Sequence, residues 1–377
     1  MKYRTLGKQN RKVSVLGFGA MRFSTHNGND AEIQKEPTIQ LLHQAIDAGV
    51  NYIDTAYVYH GGHSEQLVAE ALSQGDYRKR AYVATKLPIW NVQKTSDFDQ
   101  LLDEQLRNLR TEQIDFYLLH CLQRPEWERL LKLGLLEWCD RVVQSGKIGE
   151  LGFSFHDSLD MLEEIVHARD WSFCQVQYNL VNEHTQAGTR GVEFLHQQGL
   201  DVIVMEPLLG GTLATPPEPI AKLYAAAGRD PVEIALLWLW EKQGISLLLS
   251  GMNSPEQLEQ NLRLADMAGE GKLTASDYEL IATVQQTYEK LSPIPCTKCR
   301  YCVPNCPQGV AIPDNFEMYN NAQTFGGNNL VLNHNLYQLL PNSQKASSCI
   351  QCGACAKHCP QSLPIPELLE KVVKLFA

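Results

Sequence analysis

The residues best suited to chemistry in this sequence are two sets of four cysteines near its C-terminal end. In each set three cysteines are separated by two residues, and a fourth is followed by proline. The first set is Cys296, Cys299, Cys302 and Cys306, and the second is Cys349, Cys352, Cys355 and Cys359. Evenly spaced thiolates on one tight loop turn three sulfurs toward one point, as a 4Fe-4S cubane requires. The sequence therefore predicts two 4Fe-4S clusters.

The fourth cysteine of each set is expected to bind the cluster of the other set, because it lies too far along the chain to join its own three easily. Cys359 then completes the first cluster and Cys306 the second. Zinc is the alternative, since zinc sites also use Cys-x-x-Cys pairs, but zinc ribbons lack the third cysteine and the proline. The region resembles the bacterial two-cluster ferredoxins, with a long connection from Pro307 to Ser348.

A second group of polar residues lies near the predicted ends of three strands in the first half of the chain. Asp54 and Tyr59 follow one strand, Lys86 ends the next, and His120 ends the one after. A phenol with a pKa of about 10 is a poor acid at neutral pH unless a cation stabilises its anion. Lys86 is the predicted cation, with Asp54 as its partner and His120 orienting a carbonyl beside Tyr59. Taken singly, each residue also has an ordinary structural explanation as a cap, a strand end or a packed side chain.

The elements that must position these residues are strands alternating with amphipathic helices from residue 13 to about residue 268. After a short hairpin, strands are predicted near residues 13–18, 51–56, 81–87, 115–120, 149–154, 173–178, 201–206 and 245–250. Eight such units predict an α/β fold, a closed (β/α)8 TIM barrel whose C-terminal strand ends converge. A doubly wound sheet is the rival, but its glycine fingerprint is incomplete, because Arg22 stands where a third glycine should follow Gly17 and Gly19.

A change in composition predicts a second domain after a helix at residues 276–291. Pro293 and Pro295 end that helix, and eight of the eleven cysteines lie beyond it. The predicted domains are the barrel at residues 1–291 and a small α+β ferredoxin-like domain at residues 292–377. Because no export signal is found, these cysteines are expected to stay reduced and to bind metal.

Charge and hydropathy argue against several partners and locations. A net charge of -10 disfavours nucleic acid and anionic membranes, which both reward clustered Lys and Arg. No apolar run is long enough to cross a bilayer, and the N-terminus lacks the pattern of a secretory signal. The expected location is therefore the cytoplasm, without a membrane or nucleic-acid partner.

The motifs around the four polar residues resemble those of the aldo-keto reductases, and the resemblance covers roughly residues 1–291. It is carried by residues 51–59, 84–86 and 118–120. The resemblance implies hydride transfer from NAD(P)H to a small-molecule carbonyl substrate, with Tyr59 protonating the oxygen. It also implies cofactor contacts by Ser154 and Gln175 with the carboxamide, by Gly210 and Gly211 with the pyrophosphate, and by Asn261 with adenine.

Four positions depart from the family pattern near the expected cofactor. Phe155 replaces an asparagine, and Met205 replaces an aromatic residue that stacks on nicotinamide. Gly251 and Gln257 lie where members specific for the phosphorylated cofactor often carry Lys and Arg. A 2'-phosphate would lose charge-assisted hydrogen bonds there, so discrimination between NADPH and NADH is expected to be weak.

Three other residues near the expected substrate mouth have less specific interpretations. His60 and His63 are interpreted as loop residues, because a metal site would need a third nearby ligand. Trp90 is interpreted as a wall of the substrate pocket or, equally, as a packed core residue.

Three functions are consistent with these motifs. The first is a nicotinamide-dependent carbonyl reductase whose clusters exchange electrons with the active site or with a partner. The second is an electron-transfer protein whose barrel loads or unloads the clusters for an external redox protein. In the third, the clusters are structural or sensory. Because a hydride carries two electrons and a cluster accepts one, flavin mononucleotide (FMN) is predicted at the barrel mouth or at its interface with the cluster domain.

Overall fold

The structure, a computed structural model, describes residues 1–27, 29–184, 186–291, 293–325, 330, 333–334, 337–338 and 340–376. Residues 292 and 377, the predicted bounds of the second domain, lie outside the described residues. The chain divides into two compact units, one of Met1–Pro207 and Leu236–Lys272, the other of Leu208–Ala235 and Leu273–Ala377. The domain boundary after residue 291 stays a prediction.

A closed barrel of eight parallel strands forms the first unit. An antiparallel hairpin of β1 (Tyr3–Leu6) and β2 (Arg11–Ser14) precedes it. The barrel strands are β3 (Leu16–Gly19), β4 (Tyr52–Asp54), β5 (Tyr82–Leu87), β6 (Ile114–Leu122), β7 (Ile148–Phe155), β8 (Phe173–Gln177), β9 (Asp201–Met205) and β10 (Ile245–Ser250). Neighbours in the chain are neighbours in the barrel, and β10 closes on β3. The predicted α/β barrel is confirmed.

Helices connect the successive barrel strands and continue into the C-terminal region. Those described along their whole length are α1 (Lys35–Asp47), α2 (Ser64–Ser73), α3 (Tyr77–Arg80), α4 (Ser96–Asn108), α5 (Arg124–Leu131), α6 (Leu135–Gln144), α7 (Leu159–Ala168), α8 (Gly188–Gln197), α9 (Glu218–Ala226), α10 (Pro231–Trp240), α11 (Pro255–Ala265), α12 (Ala275–Leu291), α13 (Ile312–Phe325) and α14 (Ile365–Phe376). None of the described helices is both long and apolar enough to cross a membrane.

The N-terminal hairpin differs from its predicted boundaries. The second hairpin strand was expected at residues 13–16 and the first barrel strand at residues 13–18. In the structure Val13 and Ser14 pair with β1, and β3 begins only at Leu16, which pairs with Leu248 of β10. A single residue separates the two strands, so the periodicity of the side chains cannot show where one ends and the next begins.

The interior of the barrel is filled by side chains from alternate strand positions. Tyr52, Phe116 and Phe173 are fully buried in one apolar cluster with Leu6 and Val13 of the hairpin. The backbone N–H of Gly7, in the hairpin turn, donates to the carboxylate of Asp201, the first residue of β9, so the hairpin covers the N-terminal end of the barrel. The opposite end is left for polar side chains.

The second unit has its own apolar core. Phe316 of α13 packs in one buried cluster with Val372 and Phe376 of α14. Within the same unit, Arg229 lies 3.1 Å from Asp277 of α12, measured from Nε to Oδ1. Among the described residues 293–376 the assigned elements are helices and short 3-10 turns joined by irregular segments, without a strand of the α+β domain that was expected.

Candidate active site and cysteine loops

The four predicted catalytic residues lie at or just beyond the C-terminal ends of three neighbouring strands. Asp54 is the last residue of β4, Lys86 the next-to-last of β5, and His120 lies near the end of β6. Tyr59 begins a short 3-10 turn that follows β4. Because the strands are parallel and adjacent, the four side chains share one mouth of the barrel.

Lys86 is the centre of this group. Its ammonium donates to Oδ1 of Asp54 at 2.6 Å, to the carbonyl oxygen of Thr55 at 2.9 Å and to the hydroxyl of Tyr59 at 3.3 Å. Only 1% of the Lys86 side chain and 4% of the Asp54 side chain are exposed. An ammonium has three protons, and these three partners use all of them. The direction in which Lys86 meets the phenol is therefore fixed.

Burial and the ion pair together set the protonation of these residues. Burial raises the pKa of Tyr59, and the charge of Lys86 opposes the rise. Burial alone would lower the pKa of Lys86, but attraction by Asp54 and Tyr59 outweighs it, and the pKa is raised. Burial and the nearby Lys86 charge hold the pKa of His120 well below its usual value. At neutral pH a charged lysine, a protonated phenol and a neutral imidazole thus lie together, as proton donation to a developing alkoxide requires.

Trp90 lies beside the same group of side chains. Its ring centroid is 5.0 Å from that of His120, and the His120 ring is 6.1 Å from the ring of Tyr59 in an edge-on arrangement. Trp90 is half-buried in a 3-10 turn that follows β5. This position suits a pocket wall better than a packed core residue.

Ser154 and Gln175, the predicted carboxamide contacts, are direct partners in the register of β7 and β8. The hydroxyl of Ser154 accepts the backbone N–H of Cys121 at 2.7 Å, and the amide nitrogen of Gln175 lies 3.4 Å from the sulfur of Met205. The Oε1 atom of Gln175 is buried and has no hydrogen-bond partner in the described part of the chain. An orphaned acceptor fits the NH2 group of a nicotinamide carboxamide. Met205, whose sulfur contacts the Gln175 amide, lies directly beside this acceptor.

The predicted adenine and 2'-phosphate contacts lie around the end of β10 and the start of α11. Asn261 is buried and donates to the hydroxyl of Ser250 at 2.8 Å. Gln257 is exposed, and its side-chain oxygen accepts the backbone N–H of Asn253 at 2.9 Å. A Cβ atom at Gly251 would lie 3.2 Å from the Cβ of Arg22, so a larger residue there would displace Arg22. These positions provide no cation of their own for a 2'-phosphate.

The predicted pyrophosphate contacts, Gly210 and Gly211, lie in a 3-10 turn of the second unit. Their φ angles of 64° and 93° are in the region that favours glycine. Successive backbone N–H groups in such a turn can bind a phosphate oxygen. The N–H of Gly211 donates to the carbonyl oxygen of Leu208 at 3.0 Å, so its contact with a pyrophosphate stays a prediction.

His60 and His63 have the structural roles of loop residues. His60 is buried, accepts the backbone N–H of Phe23 at Nε2 (3.2 Å) and has Nδ1 2.8 Å from the carbonyl oxygen of Asp30. It thereby connects the loop after β3 to the turn that carries Tyr59. His63 is exposed and precedes the first turn of α2.

His156 was missed by the sequence analysis. It follows β7, its backbone N–H donates to the carbonyl of Leu122 at 3.2 Å, and only 8% of the residue is exposed. Burial lowers the pKa of His156 to about 4, and the charge of Lys86 contributes to the shift. His156 also acts electrostatically on His120. A second neutral imidazole therefore lies near the candidate site. The only feature of the sequence that points to His156 is its position two residues after Ser154.

One apolar pocket of the second unit is lined by four cysteines. They are Cys296, Cys299, Cys302 and Cys359, and the lining also includes Ile312, Phe316 and Leu363. Three of these cysteines come from the first set and one from the second, which is the grouping that crossed ligation requires. Thiolate ligands in apolar surroundings fit an iron-sulfur cluster.

The predicted second group joins Cys306 to Cys349 and Cys355, and all three belong to or pack against the apolar core of the second unit. Burial raises the pKa of Cys355 to about 11, and charge on Cys306 and Cys349 contributes to the rise. The backbone N–H of Val310 donates to the sulfur of Cys306, and that of Gln351 to the sulfur of Cys349, both at 3.4 Å. Such hydrogen bonds stabilise negative charge on cluster sulfurs and tune the reduction potential.

Within the described ranges, no group of three or more His, Cys, Asp or Glu side chains is found that could hold a metal ion. The choice between iron-sulfur clusters and zinc therefore depends on the cysteine pattern and not on this geometry.

The two cysteine loops repeat one unusual backbone conformation. In the loop that begins at Cys296, Lys298 has a φ of 57° and Arg300 a φ of 65°. In the loop that begins at Cys349, the equivalent residues Gln351 and Gly353 have φ angles of 56° and 70°. Left-handed conformations are unfavourable for residues other than glycine and concentrate at functional sites. They also turn successive N–H groups inward, where they can bind an anionic group. The repeat supports one ligand type for both loops.

Comparison with known proteins gives two family matches. Residues 15–285 match the aldo/keto reductase family, and residues 295–363 match the 4Fe-4S dicluster domain. The first match spans the barrel strands, and the second spans all eight cysteines of the two loops. The matches therefore correspond to the two groups of candidate residues.

Individual relatives are distant but cover most of the barrel region. An uncharacterized oxidoreductase of Schizosaccharomyces pombe is 27% identical over 263 residues, which are 67% of this chain and 82% of the relative. A methylglyoxal reductase of Escherichia coli is 27% identical over 231 residues, which are 58% and 75% of the two chains. A solved aldo-keto reductase from Klebsiella pneumoniae, in complex with NADPH, is 23% identical with a TM-score of 0.61 and covers 76% of this chain and 96% of that one. The last likeness shows the fold.

Proposed function

Because the chain belongs to the aldo/keto reductase family, we propose that its barrel reduces a small carbonyl compound with NAD(P)H and that its cysteine loops hold two 4Fe-4S clusters. The observation that carries the first part is the 3.3 Å contact between the buried Lys86 ammonium and the Tyr59 hydroxyl. The observation that supports the second is the pair of cysteine loops with one repeated conformation.

Bound NAD(P)H, held at its carboxamide by Ser154 and Gln175, would supply a hydride for the carbonyl carbon. Tyr59 donates its proton to the carbonyl oxygen, which gives the alcohol and leaves a phenolate. Lys86 stabilises that phenolate, Asp54 keeps the lysine charged, and neutral His120 donates a hydrogen bond that orients the carbonyl. Solvent then returns a proton to Tyr59.

The substrate is proposed to be a small polar carbonyl compound. The name of the Escherichia coli relative, a methylglyoxal reductase, supports this class. The test is oxidation of NADPH or NADH by anaerobic protein in the presence of methylglyoxal, with iron and sulfide analysis of the same sample. Carbonyl-dependent oxidation and about eight irons per chain are expected. No oxidation with any small aldehyde or ketone would contradict the reductase, and about one zinc per loop would contradict the clusters.

A second function, electron exchange with an external redox protein, is favoured by the exposed edge of the second cysteine loop. Ile350 is 59% exposed, and Cys352 is also exposed. An apolar residue between two cluster ligands suits contact with another protein, because electron transfer needs close approach. Bleaching of the cluster absorbance by NADPH without a carbonyl would support this function, and unchanged absorbance would count against it. The cytoplasmic location stays a prediction.

A further inference from the structure

A buried polar network lies behind β5, on the side away from the candidate active site. Successive side chains of a strand point to opposite faces, so Thr85 faces the surrounding helices while Lys86 faces the mouth. Glu65 of α2, Gln105 of α4 and Tyr117 of β6 meet Thr85 there, and all four are fully buried. Thr85 and Tyr117 are also register partners. These four residues are called the Glu65 network.

Glu65 is an ionisable group that the proposed reaction does not use. Its Oε1 atom accepts the hydroxyl of Thr85 at 2.7 Å and the amide nitrogen of Gln105 at 2.7 Å, and its Oε2 atom accepts the amide nitrogen of Asn108 at 3.0 Å. Amide nitrogens only donate, so these bonds suit an ionised carboxylate. Burial nevertheless raises the pKa of Glu65. An apolar side chain would fill the same space without this desolvation cost, so packing alone does not explain a carboxylate here.

Gln105 connects the Glu65 network to the candidate active site. Its amide nitrogen donates to the backbone carbonyl of Lys86 at 3.0 Å, and its side-chain oxygen accepts the hydroxyl of Tyr117 at 2.6 Å. Tyr117 donates at one end of the amide and Glu65 accepts at the other, so the amide cannot rotate without breaking both bonds. The hydrogen bond to Lys86 is therefore held in place by two buried partners.

We propose that Gln105 is a positioning residue for Lys86 and that the Glu65 network fixes it in that role. The three partners of the ammonium orient the end of the Lys86 side chain, and Gln105, by holding the main-chain carbonyl of Lys86, fixes the point from which that side chain extends toward the Tyr59 hydroxyl. This inference rests on the carbonyl reduction proposed above, in which Lys86 stabilises the phenolate. A small displacement of the ammonium weakens that stabilisation, since electrostatic catalysis depends on preorganised geometry.

The test is Gln105→Met, which keeps the length of the side chain and removes both hydrogen-bonding ends. We expect kcat to fall about tenfold or more, while KM for the carbonyl and Kd for NADPH stay within about twofold. The alkaline limb of the pH profile of kcat should move to higher pH, because a displaced Lys86 lowers the pKa of Tyr59 less. A residue with a purely structural role would not move this limb.

Two further variants separate positioning from general destabilisation. Asn108→Ala removes a bond to Glu65 but no bond to Gln105 or Lys86. It should reduce the free energy of unfolding and leave kcat and the alkaline limb within about twofold of the wild type. Tyr117→Phe removes only the donor that fixes the Gln105 amide, and it should move kcat and the limb in the same direction as Gln105→Met, by a smaller factor.

The outcomes distinguish this inference from the proposed function. Wild-type carbonyl reduction with an unchanged alkaline limb in both Gln105→Met and Tyr117→Phe would overturn the positioning role alone. A wild type that reduces no carbonyl would overturn the proposed function, and this inference with it. If Gln105→Met fails to fold, Tyr117→Phe decides the question, because it keeps the volume of the ring.

Discussion

Among single residues, Tyr59 is the one on which the proposed proton transfer depends. Tyr59→Phe removes the hydroxyl and leaves Lys86 bound to Asp54 and Thr55. We expect kcat for carbonyl reduction to fall by about a hundredfold or more, because only the general acid is lost. NADPH binding, followed by fluorescence titration, should be nearly unchanged. Turnover close to that of the wild type would contradict the role of Tyr59.

His156 makes a separate prediction about acid stability. Its pKa in the folded protein is lowered from 6.5 to about 4, so below about pH 6.5 the unfolded chain binds a proton that the folded protein does not. The stabilising contribution is complete above that pH and is lost as the pH falls toward 4, by an amount on the order of 3 kcal/mol. Urea unfolding across this range should show a smaller loss in His156→Phe than in the wild type. An equal loss in both proteins would show that His156 is not the group responsible.

The candidate residues predicted from the sequence belong to local motifs, whereas the residues that the sequence did not point to are distinguished by burial. Lys86 and His120 stand near strand ends that the periodicity locates, and Tyr59 follows the end of β4 in a 3-10 turn. His156 and Glu65 have no such signal, because an isolated histidine or a glutamate at the start of a helix is ordinary in a sequence. Their importance comes from the loss of water around them, which only the packed structure shows.

At the scale of elements, the two cysteine loops lead to a prediction about which loop supplies the fourth ligand of each cluster. Cys306 belongs to the first loop by sequence, but crossed ligation assigns it to the cluster held by Cys349 and Cys355 of the second. Cys306→Ser should therefore change the spectrum of the cluster held by the second loop and spare the other. Electron paramagnetic resonance of the reduced protein, with Cys139→Ser as a control in the barrel core, would measure this. A change confined to the cluster of the first loop would reverse the assignment.

The strands and helices of the barrel were more predictable than those of the C-terminal region. The helix α1 buries Ile39, Leu42 and Ile46, the apolar stripe that its sequence spacing predicts. In the C-terminal region the cysteines dominate the pattern, and ligand loops need neither helical nor strand periodicity. The helix expected at residues 276–291 is present as α12, but the expected strands are not found among the described residues 293–376.

At the scale of the whole molecule, FMN is predicted because a hydride and an iron-sulfur cluster transfer different numbers of electrons. A hydride delivers two electrons at once, and a cluster accepts one, so a carrier that handles both is needed if the two sites communicate. The prediction rests on Met205 in place of a stacking aromatic and on the uncharged Gly251 and Gln257, which we expect to loosen the fit to NADPH. Titration of anaerobic protein with FMN should show saturable binding and faster cluster reduction by NADPH. No binding would leave nicotinamide as the only cofactor of the barrel.

The division of the chain into two compact units determines where the protein can be truncated or fused to another protein. Residues 208–235 group with the C-terminal unit, where Arg229 contacts Asp277, although they lie between two barrel strands in sequence. The units are therefore interleaved along the chain, and no single cut yields both of them whole. A truncation at residue 291 keeps every barrel strand but removes Phe316 and α14, which belong to the core of the second unit. We expect the shortened chain to be less soluble and more easily cleaved by proteases than the full protein. A fusion protein that contains the cysteine loops would also need residues 208–235.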